Sequence, residues 1–259
     1  MIETRILYNK CPLCDSDDLK KSITGDCSKH PLHIKEIPPT MQWLDCQNCS
    51  HQFVDGYFNS EALNLIFNKT HDNQKVGYEI EKQRYVSSRI VEKIITYRSN
   101  GVWLDVGFGN GSLIFTAQEY GFKVIGVDLR KENVEALRHL GIEAYCAELQ
   151  QVDFKTKISV VSLMDVLEHT PYPKQILKVL YSNMEDSGCL IISMPNRESI
   201  IWNLMSQKNV NPYLGEIEHY HNFSRTRLFE LLKECGFSII KYGISERYRV
   251  CMEIIASKK

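Results

Sequence analysis

The sequence predicts an α/β protein built on a doubly wound, mostly parallel seven-stranded sheet, preceded by a small N-terminal module. From Gly101 onward, apolar segments of strand length alternate with segments of helical periodicity, which is typical of parallel strands joined by helices. A glycine-rich loop follows the first of these strands. Residues 1–55 lack this alternation and contain five cysteines, four of them in two close pairs. These three observations indicate two parts of different construction.

The elements after Gly101 follow from apolar periodicity and from the glycines that end helices. The predicted strands are VWLDVG (102–107), KVIGVD (123–128), IEAYC (142–146), ISVVSLM (158–164), CLIISMP (189–195), FSIIKYGI (237–244) and YRVCMEIIAS (248–257). The predicted helices are SLIFTAQEYG (112–121), KENVEALRHLG (131–141), PKQILKVLYSNM (173–184) and RTRLFELLKECG (225–236). A further helical pattern occupies 78–97. We therefore divide the chain into an N-terminal module (1–55), a helical linker or lid (56–100) and a sheet domain (101–259).

Composition and charge narrow the class of protein. The chain has 259 residues, of which 43% are hydrophobic and 24% charged, as in ordinary globular domains. The formal net charge of −1 provides no overall attraction to nucleic acid or to an anionic membrane. Apolar runs are of strand length, so we expect no membrane span, no signal peptide and a cytoplasmic location. The sequence leaves the oligomeric state open.

Two C-x-x-C pairs stand near the N-terminus, in CPLC and CQNC. An odd total of nine cysteines argues against a closed disulfide framework, and paired cysteines in a reducing compartment more often bind metal. Cys11, Cys14, Cys46 and Cys49 therefore predict a tetrahedral structural zinc site with four thiolate ligands. The intervening Cys27, His30 and His33 are alternative ligands. The other four cysteines are predicted to be buried apolar residues: Cys146, Cys189, Cys235 and Cys251.

The strongest local signal is the loop LDVGFGNGS, Leu104 to Ser112. Alternating glycines allow a sharp strand-to-helix turn and let a ligand approach the backbone without meeting a Cβ atom. The sixth position counted from Gly107 is Ser112, so the loop departs from the dinucleotide fingerprint. Asp105, at the end of the strand, suits an ammonium group better than a pyrophosphate.

A second acid, Asp128, ends the second strand 21 positions after Gly107. A carboxylate at this place can accept hydrogen bonds from both hydroxyls of a ribose. The alternative is that Asp128 caps the helix KENVEALRHL. The glycine loop upstream favours the ligand-binding interpretation.

LDVGFGNG, VIGVDLR and ISVVSLMDVLEHTPYP, in this order, resemble the class I S-adenosylmethionine-dependent methyltransferases with a Rossmann-like fold. The resemblance is to the branch with DVLEH after the fourth strand, and EIEHYHNFSRTRLFELLKECGF resembles a later block of that branch. It covers about Gly77 to the C-terminus. It implies that Asp105 and the glycines hold the methionine part of S-adenosylmethionine, Asp128 the ribose, and Glu148 and Leu149 the adenine. CAELQQVDF departs from the family pattern at this last place. The full cofactor set so implied is Asp105, Gly107, Phe108, Gly109, Gly111, Asp128, Leu129, Glu148, Leu149 and Asp165.

The DVLEH segment follows the fourth strand, at the edge where such sheets bind ligands. A helical turn from Asp165 would bring Asp165, Glu168 and His169 to one face. His169 is the predicted general base for an acceptor hydroxyl, with Glu168 and His221 as further catalytic candidates. Alternatively, these side chains bind a divalent metal together with His221 or His219, as in metal-dependent relatives with a similar acid-x-x-Glu-His set. The third possibility is that they cap a helix.

LDCQNCSHQFVDGYF resembles a lead-in found before methyltransferase domains encoded with sugar and surface-polysaccharide enzymes. This resemblance implies a carbohydrate or other small-molecule acceptor, methylated on a sugar hydroxyl. The paired knuckles also resemble a ribosomal-RNA guanine methyltransferase. Residues 1–55 hold six Lys or Arg against eight Asp or Glu, a net charge of −2 that disfavours RNA. The remaining alternative is a non-catalytic cofactor-binding module that recruits a partner.

Overall fold

The computed structural model describes residues 4–67 and 74–259. They form two compact units. The N-terminal unit consists of the described residues within Met1–Lys69, Glu168–Lys174 and Pro195–Leu231. The sheet unit consists of those within Thr70–Leu167, Gln175–Met194 and Leu232–Lys259. The predicted module 1–55 thus lies in a unit to which two later segments of the chain also belong.

The described residues contain thirteen strands and seven α-helices. The strands are β1 (Arg5–Leu7), β2 (Leu19–Asp26), β3 (Thr40–Cys46), β4 (Gln52–Val54), β5 (Gly56–Phe58), β6 (Val102–Val106), β7 (Lys123–Asp128), β8 (Glu143–Cys146), β9 (Ile158–Met164), β10 (Met184–Pro195), β11 (His221–Asn222), β12 (Phe237–Ile244) and β13 (Cys251–Lys258). The helices are α1 (Ser60–Phe67), α2 (Ile80–Ile95), α3 (Ser112–Glu119), α4 (Lys131–His139), α5 (Pro173–Asn183), α6 (Ile200–Gln207) and α7 (Arg225–Glu234). None of the helices within 4–67 and 74–259 is long and apolar enough to cross a membrane.

The seven strands predicted after Gly101 all form, in the order β12-β13-β10-β9-β6-β7-β8. The pairs β10/β9, β9/β6, β6/β7 and β7/β8 are parallel, whereas β12 and β13 pair antiparallel. All seven residues of β9 are buried, as expected for a strand covered on both faces. The predicted Rossmann-like fold with a mostly parallel seven-stranded sheet is therefore confirmed.

Within the sheet unit, one apolar cluster unites α2, α3 and α4 with the strands. Trp103, Ile114, Leu137 and Ile191 are among its fully buried members. Burial is also confirmed for three of the four cysteines predicted as apolar: Cys189, Cys235 and Cys251. For Cys146 the prediction was wrong, because this residue ends β8, the outermost strand, and its side chain is exposed.

The N-terminal unit contains an antiparallel sheet of order β11-β4-β3-β2 and the antiparallel pair β1/β5. In β11, His221 pairs with Phe53 of β4, so a strand of two residues joins a sheet formed about 170 positions earlier. Trp43, Phe58 and Ile217 lie in its core. The sequence did not predict these strands or α6, because the strands are short and their apolar residues do not alternate.

Candidate cofactor and active-site residues

The glycine loop joins β6 to α3 in the sheet unit. Gly107, Gly109 and Gly111 have φ values of +67°, +53° and +79°, a region that side chains with a Cβ rarely enter. A Cβ on Gly107 would lie 2.7 Å from Val166 Cγ2, whereas nothing comes closer than 4.0 Å to a Cβ on Gly109. The loop therefore leaves its backbone open at Gly109, as a bound cofactor requires.

Asp105 lies in β6, two residues before the loop. Its carboxylate is buried, and Oδ1 accepts a hydrogen bond of 2.5 Å from Ser162 Oγ. Burial raises the pKa of Asp105 to about 7, and Asp128 raises it too, while the Ser162 hydrogen bond and Arg247 act in the opposite direction. A buried carboxylate whose hydrogen bond comes from a neutral serine hydroxyl suits a ligand that brings its own positive charge.

Asp128 ends β7 and is also buried. Its Oδ2 accepts from Gly109 N at 3.3 Å, and its Oδ1 accepts from Arg130 N at 2.8 Å. The residue at the N-cap position of α4 is Arg130, not Asp128. Asp128 therefore fixes the turn after β7 and links it to the glycine loop, which differs from the helix-capping alternative.

The remaining residues of the implied cofactor set differ in exposure. The Phe108 side chain belongs to the apolar core of the sheet unit, so only its backbone is available to a ligand. Leu129 and Glu148 are exposed after β7 and β8, whereas Leu149 is buried in a short 3-10 helix. Leu129 and Glu148 thus remain the candidates whose side chains a ligand can reach.

Asp165 does not begin a helical turn. It has a φ of +60°, and a short 3-10 helix begins only at Leu167. The expected common face of Asp165, Glu168 and His169 is therefore wrong. Asp165 Oδ1 instead accepts from Ser193 Oγ at 2.7 Å, and Oδ2 lies 3.5 Å from Arg247 Nε. Sequence reasoning missed Arg247, because 82 residues separate it from Asp165.

His169 lies in the N-terminal unit, in a cluster with Glu168 and His219. The candidate ligand atoms of these three residues lie within 4.8 Å of one another. His169 Nδ1 lies 3.0 Å from the carbonyl oxygen of Glu218. Because a carbonyl only accepts, Nδ1 must carry the proton, and Nε2 of the neutral ring is then the basic nitrogen. The ring of His219 meets that of His169 edge to face, with centroids 4.7 Å apart.

The contacts of His221 do not fit the catalytic role predicted for it. Its Nε2 lies 2.9 Å from the carbonyl oxygen of Thr170, and its Nδ1 lies 3.0 Å from His51 Nε2. Burial lowers the pKa of His221 to about 3. Both ring nitrogens are thus used within the protein, and His219 rather than His221 joins Glu168 and His169.

The four knuckle cysteines meet in the N-terminal unit, with their sulfur atoms all within 4.8 Å of one another. Cys11 Sγ lies 3.7 Å from Cys49 Sγ, and Cys14 Sγ lies 3.6 Å from Cys46 Sγ. A tetrahedral zinc with Zn–S bonds of about 2.3 Å sets S–S distances of about 3.8 Å, so the donor set fits this ion. The alternative ligands lie elsewhere: Cys27 Sγ donates to Pro38 O, and His30 pairs with Glu216.

A glycine loop after β6, an acid at the end of β7 and this strand order are typical of α/β proteins that bind a nucleotide cofactor. A family model described as "Methyltransferase domain" matches residues 78–242, more than half of the chain. The chain therefore belongs to this methyltransferase family, and the predicted class of enzyme, a methyltransferase, is confirmed.

Similar proteins agree with this assignment. A ubiquinone biosynthesis O-methyltransferase of Bradyrhizobium diazoefficiens is 30% identical over 100 residues, covering 36% of this chain and 40% of the relative. The chain spans about half the length of the curated relatives it matches.

Two crystal structures show the same fold. A magnesium protoporphyrin IX methyltransferase from Synechocystis PCC 6803 has a TM-score of 0.55, 20% identity and coverage of 78% of this chain and 97% of that one. A 1,6-didemethyltoxoflavin-N1-methyltransferase from Burkholderia thailandensis has a TM-score of 0.57, 16% identity and coverage of 82% and 97%. Both were crystallised with bound S-adenosylhomocysteine.

The raised pKa of Asp105 predicts that cofactor affinity depends on pH. Below about pH 7 the carboxyl group is protonated and no longer attracts the ligand's ammonium, so the affinity for S-adenosylhomocysteine should fall by up to about tenfold per pH unit. The charged groups that act on Asp105 are Arg247 and Asp128. Calorimetric titrations between pH 8.5 and 5.5 measure this, with Asp105→Asn as the control that should bind weakly at every pH. A constant affinity across this range in the wild type would contradict the assignment.

Proposed function

We propose that the chain transfers a methyl group from S-adenosylmethionine to a hydroxyl oxygen of a sugar or a related small molecule, in surface-polysaccharide or similar biosynthesis. The orientation of His169 is the observation that carries this proposal. Its Nδ1–H is fixed on the Glu218 carbonyl, which leaves Nε2 as an acceptor for the proton of an alcohol. An alcohol is a weak nucleophile until that proton leaves, so an O-methyltransferase gains most from a base held in this way.

The sheet unit holds the cofactor in this proposal. Asp105 binds the ammonium group, Asp128 the ribose hydroxyls, and the open backbone at Gly109 receives the nucleoside. The cofactor supplies an electrophilic methyl group on a sulfonium. The chain itself contributes a candidate base, His169 Nε2, to remove the proton of the acceptor hydroxyl.

The N-terminal unit contributes a structural zinc site. Four thiolates without an open coordination position are typical of zinc that stabilises a fold rather than of catalytic zinc. The hydrogen bond between the two sulfurs lowers the pKa of the Cys49 thiol and raises that of the Cys11 thiol, because the pair shares one proton. Zinc here would hold the CPLC turn against β3 and the turn that follows it.

The cluster of Glu168, His169 and His219 also supports a divalent metal as the alternative to a base. One carboxylate and two imidazoles form a common donor set for such ions. Burial lowers the pKa of His219 well below its ordinary value, and His169 lowers it further, so the ring is neutral, as a ligand must be. Metal would then replace general-base help by polarising the acceptor oxygen.

A methyl-transfer assay with cofactor labelled on the methyl group tests the proposal. The acceptor panel contains nucleotide-linked sugars, polysaccharide fragments, a phenolic quinone precursor and RNA. We expect label on a sugar hydroxyl and none on RNA. Transfer to the phenol alone would retain O-methylation and exclude the carbohydrate, and transfer to RNA alone would overturn the proposal. Activity that chelators abolish and added divalent metal restores would replace the base by the metal.

A further inference from the structure

The carboxyl edge of the sheet unit contains two acids and one cation that interacts electrostatically with both. Asp105 is at the end of β6, and Asp165 follows β9. Arg247, in the connection from β12 to β13, lies 3.5 Å from Asp165 Oδ2 through its Nε, and its charge also acts on Asp105. These three groups come from three separate parts of the sequence and meet only through the sheet.

The amino-acid end of S-adenosylmethionine is a zwitterion. An acidic side chain pairs with its ammonium group but leaves its carboxylate without a partner. Asp105 provides the negative charge for the ammonium group. A carboxylate beside a buried acid would be repelled unless a cation faces it. Arg130 is engaged on the ribose side, 3.6 Å from Asp128 Oδ1. Arg247 is the cation that acts on both Asp105 and Asp165.

The backbone around Arg247 is fixed, while its side chain remains accessible. Arg247 N donates to Ser245 Oγ at 3.2 Å, and Ser245 Oγ lies 3.1 Å from Ser193 Oγ of β10. The guanidinium donates through Nη1 to the Met164 carbonyl at 3.2 Å, yet 37% of the side chain is exposed. A guanidinium has five N–H donors, so Arg247, which contacts Met164, Asp165 and Tyr248, can still offer N–H donors to a carboxylate.

The carboxylate of Asp165 can hold the Arg247 guanidinium in place. Ser193 bonds to its Oδ1, whereas Oδ2 is buried and accepts no hydrogen bond from the described part of the chain. Its attraction to Arg247 holds the guanidinium at the end of β9 without using all of its donors.

We propose that Arg247 binds the α-carboxylate of the cofactor's methionine moiety while Asp105 binds its α-ammonium. This inference rests on the proposed function, since it assumes that S-adenosylmethionine binds at the glycine loop. It assigns the connection between β12 and β13 to cofactor binding, in addition to the loops that follow β6, β7 and β8.

Three ligands and two variants test the proposal by calorimetry. The ligands are S-adenosylhomocysteine, its decarboxylated analogue with the ammonium retained, and 5′-methylthioadenosine without the amino-acid end. Wild-type protein should bind S-adenosylhomocysteine about 10–100-fold more tightly than the decarboxylated analogue, as one charge-assisted contact provides. Arg247→Met should remove this difference and leave the affinity for the other two ligands within about threefold. Arg249→Met is the matched control in the same connection and should behave as wild type.

The outcomes separate three cases. Equal losses for all three ligands in Arg247→Met would mean that Arg247 only supports the fold, and unchanged affinities would mean that it does not contact the cofactor. Either result overturns this inference alone. Asp128→Ala should weaken all three ligands, because each contains the ribose. A wild-type protein that binds none of them would instead overturn the proposed function.

Discussion

The His169→Ala variant should lose at least about 10²-fold in kcat, the effect expected when a general base is removed. The reason is the tautomer: with Nδ1–H on the Glu218 carbonyl, Nε2 is left as the proton acceptor. The affinity for S-adenosylhomocysteine should barely change, because the cofactor ligands assigned above lie on other residues. Steady-state kinetics with the acceptor found in the panel assay provide the measurement.

Two further variants distinguish a base from a structural histidine. His169→Asn keeps an N–H donor near the position of Nδ1 but has no second nitrogen, so it should be as inactive as His169→Ala. Added imidazole should restore part of the activity of His169→Ala, which loss of packing would not permit. His139→Ala, an exposed histidine on α4, is the matched control and should retain full activity. If His169→Asn kept most of its kcat, alignment of the acceptor would be the main catalytic effect.

Removal of zinc should unfold the N-terminal unit. Structural zinc sites bind with apparent free energies of about 10–16 kcal/mol at neutral pH, comparable with or above the whole stability of a small domain. The buried Trp43 lies on β3, three residues before Cys46, so its fluorescence should shift to the red when the metal is extracted. Elemental analysis of protein purified without added metal should find one zinc per chain.

Cys49→Ser and Cys27→Ser form a matched pair for this experiment. Cys49 Sγ lies among the four clustered sulfurs, whereas Cys27 is buried in the apolar core of the same unit. Cys49→Ser should lose the zinc and become sensitive to protease between β1 and β5. Cys27→Ser should keep the zinc even if it is somewhat less stable. A metal-free preparation with native Trp43 fluorescence would refute the structural role.

The sequence was sufficient to predict the sheet and the positions of the glycine loop and Asp128 within it. Strands such as ISVVSLM are rich in apolar residues because both faces are covered and every residue is buried, and this pattern is local. The glycine loop and Asp128 are also readable, since a sharp turn after one strand and an acid at the end of the next are placed by short-range geometry. The Cys-x-x-Cys pairs are local in the same sense, and the fold brings the four sulfurs together as expected.

Other features were decided only by contacts between distant segments. The H-x-H spacing in EHYHNF does not reveal which histidine is structural. His221 is buried because β11 pairs with β4 and His51 occupies its Nδ1, while His219 joins Glu168 and His169. Likewise, Asp165 meets Arg247 because β13 lies beside β10, which pairs with β9.

The sequence of this protein therefore predicts its secondary structure and its closely spaced pairs of cysteine ligands, because neighbouring residues share one backbone geometry. The partners of single polar side chains are not, because burial removes water and leaves each group to whichever donor or acceptor the tertiary fold supplies. His221 and Arg247 acquire their contacts in this second way.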